Sequence, residues 1–91
     1  MDQLQFSDQP MESSMDCFVC GVDAIKLESG LDGTELRCPD CGHFGVSGSL
    51  IAVQRGRSFD VEQTRWWLER RRVAFPEQLP VISEAFVFWA L

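Results

Sequence analysis

The sequence predicts a small α+β domain: a three-stranded antiparallel sheet in the first half, then one or two helices and an apolar C-terminal element. Three observations predict it. All four cysteines fall into two Cys-x2-Cys pairs, Cys17-Phe18-Val19-Cys20 and Cys38-Pro39-Asp40-Cys41, with seventeen residues between them. Between the pairs, short runs of alternating polar and apolar residues flank the cluster Ser29-Gly30-Leu31-Asp32-Gly33, and Asp-Gly between alternating runs is a strong hairpin signal. From residue 58 the apolar spacing changes to that of a helix. Ninety-one residues make one domain. Residues 1–15 are rich in Met, Gln, Ser and Asp without any period and read as a flexible tail, which leaves 16–91 as the folded unit.

The cysteine spacing falls within the C-x2-C-x15–20-C-x2-C pattern of a zinc site. A two-residue gap lets one tight turn aim both sulfurs of a pair at a single ion, and thiolate sulfur is a favoured donor to zinc at ~2.3 Å. Gly21 and Gly42 each follow the second cysteine of a pair, where glycine lets the backbone turn with positive φ. Cys17, Cys20, Cys38 and Cys41 are therefore the expected ligands of one structural metal ion. Four protein ligands leave no open position for water or substrate, so the ion holds shape and performs no reaction. Disulfides and a redox Cys-x2-Cys are the weaker alternatives: no export signal precedes the cysteines, and no βαβ context surrounds them. Iron in the same all-sulfur cage stays open.

The run Cys-x2-Cys-Gly, a seventeen-residue gap and Cys38-Pro39-Asp40-Cys41-Gly42 resembles the zinc-ribbon family, in particular small bacterial and phage members. His43-Phe44-Gly45-Val46-Ser47-Gly48 resembles the third ribbon strand and its exit. The likeness covers about residues 16–50. It implies a three-stranded ribbon closed by zinc, and it implies no one activity, because ribbons serve transcription, translation, DNA repair and protein docking alike. Farther on, a Trp-containing helix followed by Pro80-Val81-Ile82-Ser83 is similar to a looser arrangement in such proteins.

Each element follows from its residues. Asp23–Glu28 alternates, with Ile25 and Leu27 on one face, and reads as a strand. Thr34–Cys38 is the returning strand and His43–Val46 the third. Leu50–Arg55 reads as a short helix capped by Ser49 and ended by Gly56, favoured over a fourth strand by those two signals. Ser58–Arg72 is the clearest helix. Asp60 with Gln63 fits a capping box, and Asp60 and Glu62 at its start with Arg70, Arg71 and Arg72 at its end complement the helix dipole. Val61, Thr64, Trp67 and Leu68 fall on one side, Phe59 and Trp66 nearly opposite. One face is expected to cover the sheet. The other needs the apolar segment Val81–Leu91, a helix from Glu84 capped by Ser83 or a strand over Phe86–Trp89, or else a partner. A homodimer through this C-terminal aromatic segment is one such solution.

Charge and chemistry narrow the function. The net charge of −6 is uneven: residues 1–36 carry −7, residues 37–75 carry +3 and residues 76–91 carry −2. An acidic chain binds phosphates poorly unless its basic residues share a face. His43 is the only histidine and reads as an ordinary strand position, so no histidine pair or triad can form. No nucleophile is free and no Gly-rich phosphate loop is present, so an enzyme is not expected. No apolar run reaches the ~20 residues of a membrane helix. With no export signal and with cysteines kept as thiolates, a cytoplasmic protein is expected. The expected role is a zinc-stabilised protein-interaction or regulatory module, with Phe59, Trp66, Arg70 and Trp89 as partner-binding residues. A nucleic-acid-binding ribbon using the arginines of the helix is one alternative, with Arg glutamate pairs such as Glu62–Arg65 and Glu69–Arg72 as the plainer use of those arginines. A small acidic phage-type inhibitor of a nucleic-acid-handling host complex is another.

Overall fold

The computed structural model describes residues 12–91. The alternating runs on either side of Gly30 form β2 (Asp23–Leu27) and β3 (Gly33–Cys38), an antiparallel pair in the register Ile25↔Arg37 and Leu27↔Glu35. β4 (Gly42–Ser47) pairs antiparallel with β3 and sets Phe44 beside Leu36. These are the three expected strands.

Among the described residues the sheet has five strands, in the order β1-β2-β3-β4-β5, so the expected count of three is corrected. β1 (Glu12–Asp16) pairs antiparallel with β2. Its first four residues fall in the expected tail, since Glu12–Met15 shows no apolar period. Pairing with a neighbour decides here, and propensity in strands yields readily to such context. The rest of that tail, residues 1–11, lies outside the described residues. β5 (Val81–Ile82) adds to the far side of β4 as the one parallel strand, and Gly45 N–H donates to the Pro80 carbonyl at 2.9 Å.

The helical half follows the cap signals. α1 (Gly48–Val53) starts two residues earlier than a Ser49 cap would place it, because the cap is Ser47, whose hydroxyl accepts from Leu50 N–H at 3.2 Å. α2 (Val61–Ala74) is capped by Asp60, whose carboxylate accepts from Gln63 N–H at 2.9 Å. The C-terminal segment forms neither the expected Ser83-capped helix nor a strand over Phe86–Trp89. Glu84–Phe86 makes a single 3-10 turn, and Trp89 then bridges antiparallel to Phe59. Asp60 N–H donates to the Phe88 carbonyl at 2.8 Å and Ala90 N–H to the Ser58 carbonyl at 2.7 Å, which fastens the chain end to the start of α2.

The core lies between the sheet and α2. Leu36, Phe44, Val46, Leu50, Leu68 and Ile82 have no solvent exposure, and Thr64 is almost as buried. Thr64 and Leu68 are on the face of α2 expected to cover the sheet. Trp67 packs at the margin of the core and stacks on Phe86, ring centroids 5.5 Å apart. Among the described residues no helix is long and apolar enough to cross a membrane.

Candidate metal centre

Both cysteine pairs sit in tight turns at one end of the sheet. The first turn joins β1 to β2 and the second joins β3 to β4. Each is followed by a glycine with positive φ, +82° at Gly21 and +86° at Gly42, as the spacing predicts. The two turns repeat one hydrogen-bond pattern. Cys17 Sγ accepts from Val19 N–H at 3.3 Å, and the Cys20 backbone also favours its thiolate. Cys38 Sγ accepts from those of Asp40 and Cys41, at 3.4 and 3.3 Å. Backbone donors aimed at sulfur favour the thiolate, the form that binds a metal.

The four sulfurs lie within 4.8 Å of one another, and none is bridged in a disulfide. Cys17 Sγ is 3.9 Å from Cys41 Sγ, and Cys20 Sγ is 3.5 Å from Cys38 Sγ. A tetrahedron with arms of ~2.3 Å has edges of ~3.8 Å, so the sulfurs stand where the corners of such a cage belong. Three of them are buried and Cys20 is half-buried.

The electrostatics of the cluster call for a cation. Burial pushes the Cys17 thiol up to about 11 against its backbone donors. Burial raises Cys41 well beyond the usual thiol range, opposed mainly by Arg65. At Cys20 burial also raises the thiol, but hydrogen bonds from Val22 N–H and the neighbouring sulfurs outweigh it and bring the group down to about 7. Four crowded sulfurs cannot ionise together without positive charge among them, and a divalent ion would supply it.

Part of that charge comes from α2. Arg65 Nε donates to Cys41 Sγ at 3.4 Å, and the contacts with Cys41 and Cys20 push its own pKa further up. One helical stretch later, Arg72 donates to the carbonyls of Cys41 and His43 at 2.8 and 3.0 Å. The second cysteine turn is thus fastened to the helix by two arginines. A side chain at Gly42 would displace the Arg72 guanidinium, which would lie 2.8 Å from its Cβ, and would be strained by the φ of +86° in any case. Sequence reasoning missed both roles. It read Arg65 as a partner of Glu62, and Arg72 as a partner of Glu69. Glu69–Arg72 does form, at 3.8 Å, but Arg65 turns to sulfur instead. The available signal was their spacing: two arginines seven apart lie on one flank of a helix and reach the same neighbour.

Partners of a metal ligand typically change affinity by ~10–100-fold when removed. Arg65→Met should therefore lower metal affinity by about that factor in competition with a chromophoric chelator. Unchanged affinity would show that the contact adds nothing to the site.

The other predicted residues are dispersed. His43 is an exposed strand residue bonded to Glu35, and this bond is the main cause of the lowered Glu35 pKa. Phe59 is buried, 3% exposed, in edge-to-face contact with Trp89 at 5.3 Å, so it offers no surface to a partner. Trp89 is half-buried beneath the Arg57 guanidinium, 4.1 Å from its ring centroid. Trp66 is 58% exposed on α2 with Arg70 over its ring at 5.1 Å. The four predicted metal ligands are brought together; the four predicted partner-binding residues fall into two separate pairs, Phe59 with Trp89 and Trp66 with Arg70.

Comparison with protein-family models, curated proteins and solved structures returns no match.

Proposed function

We propose that this chain is a non-enzymatic interaction module, shaped by one structural zinc ion at Cys17, Cys20, Cys38 and Cys41, that docks another protein on the exposed face of α2. Zinc suits the site because it has no redox chemistry and accepts a closed tetrahedron of thiolates, with no position left for substrate. The observation that carries the docking reading is the pairing of Trp66 and Arg70 on the outer face of α2, with Val73 beside them 79% exposed. Tryptophan and arginine are the residues that dominate protein interfaces.

The arginines that would have favoured nucleic acid have other employment. Arg65 and Arg72 hold the second cysteine turn. Arg57 covers Trp89, and Arg71 lies over Trp67 and Phe75. These contacts tie up four arginines of the expected basic patch and weigh against the phosphate-binding reading.

The test uses the metal-loaded chain and Trp66→Ala, an exposed change expected to leave folding intact. Capture of a specific protein from a cytosolic extract by the wild type, lost in Trp66→Ala, is the expected result. Tight binding of single- or double-stranded DNA that weakens steeply with salt would contradict the docking reading.

A further inference from the structure

The four sulfurs of the cage are not equally protected. Cys17, Cys38 and Cys41 are 4%, 2% and 3% exposed, whereas Cys20 is half-buried. Cys41 is covered further by Arg65, whose Nε donates to its sulfur at 3.4 Å. With every ligand position filled by protein, a small oxidant meets only the ligand sulfurs. Thiolate character and solvent access decide which cysteine reacts first. Metal ligands are thiolates alike, so access decides, and it favours Cys20. The sulfur beside Cys20 belongs to the other turn. Cys38 Sγ lies 3.5 Å away, closer than the 3.9 Å between Cys17 and Cys41. An attackable sulfur therefore stands next to a buried one that can form a bond with it.

We infer that the cage is a redox clasp, opened by hydroperoxides at Cys20 and closed again by thiol reductants. The inference rests on the metal reading of the site and not on the docking reading of α2. The Cys20 sulfur attacks one oxygen of hydrogen peroxide and the O–O bond breaks. The sulfur gives up two electrons to become a sulfenic acid, and the other oxygen leaves as hydroxide, protonated to water. The Cys38 sulfur then attacks the Cys20 sulfur. An S–S bond forms, the S–O bond breaks and a second water leaves. Two thiolates, one peroxide and two protons thus give one disulfide and two waters. The remaining pair, Cys17 and Cys41, no longer completes a tetrahedron of ligands. The bridge joins the β1–β2 turn to the β3–β4 turn, so the chain stays tied where the cage had tied it. A dithiol supplies the two electrons that cleave the bridge, and the ligand set is whole again.

The test treats the metal-loaded full chain, freed of reductant, with about one equivalent of hydrogen peroxide. A chromophoric chelator follows the metal released. Free thiols are then alkylated and the chain is digested with trypsin, which cuts after Lys26, Arg37 and Arg55. Cys17 and Cys20 then share one peptide, and Cys38 and Cys41 another. The expected result is about one metal ion released per peroxide consumed, with the two peptides joined and alkyl groups on Cys17 and Cys41. A dithiol with added zinc should reload the chain. Cys20→His keeps a Cys3His ligand set that zinc accepts and should slow release at least about tenfold; the peptide mapping uses the wild type and does not depend on that variant folding. Metal retained under excess peroxide, a first bridge within a single turn, or a loaded Cys20→His chain that releases its ion as fast as the wild type overturns the clasp and leaves the metal reading standing. Failure of the dithiol and zinc to reload the chain overturns the clasp as well. A chain that carries no metal before treatment removes both readings.

Discussion

Chelation of the metal under reducing conditions is expected to unfold the sheet, not merely to loosen one end of it. The sulfurs of the site come from the turns that join β1 to β2 and β3 to β4, so four of the five strands meet at the cage. Cys17, Cys38 and Cys41 are also part of the buried cluster, beside Leu36 and Phe44. Without a cation, the crowded sulfurs and the nearby Arg65 lose the charge balance that holds the turns together. Structural zinc contributes an apparent ~10–16 kcal/mol in small domains at neutral pH, against a total stability of ~5–15 kcal/mol for a native domain. Loss of the metal therefore exceeds what the core can replace. Circular dichroism should show loss of the strand signal on chelation and its recovery when metal is returned. A chain that keeps its sheet and cooperative melting after complete metal removal would contradict this.

Phe44→Ala is expected to destabilise the metal-loaded chain by about 3–5 kcal/mol, the range for a buried phenylalanine reduced to alanine. Phe44 is the largest side chain without exposure. It sits on the central part of β4, in register with Leu36, and packs in the same cluster as Leu68 of α2 and Ile82 of β5. The described residues bury their apolar side chains in this one cluster. Metal binding is coupled to folding, so the variant should also bind its ion more weakly. Urea denaturation of the loaded protein measures the change directly. A loss smaller than about 1 kcal/mol would mean that the core between sheet and helix closes over the gap, beyond the partial relaxation usual in such cavities.

Much of the metal site was legible because its determinants are local. Two Cys-x2-Cys turns with following glycines specify their own geometry, and the four sulfurs converge as the spacing predicts. The hairpin at Asp32-Gly33 and the cap at Asp60 are local in the same sense. What escaped was non-local. β1 forms from residues with little strand preference because β2 offers an edge, and β5 forms because the chain returns past β4 after two helices. Neither contact leaves a periodic mark on the sequence. Arg65 and Arg72 escaped for a related reason: a helix face shows its apolar stripe plainly, but a charged residue on the flank does not announce whether it meets water, a carboxylate or a sulfur. Phe59, offered as a surface residue, is buried because the chain end at Trp89 folds over it.

One ion held by four sulfurs underlies both the fold and the proposed role. X-ray absorption at the metal edge, on protein purified under reducing conditions, tests it most directly. It should find one zinc per chain with four sulfur neighbours at ~2.3 Å and no nitrogen or oxygen. A chain without metal, a first shell containing water or histidine, or sulfurs bonded to one another would contradict it.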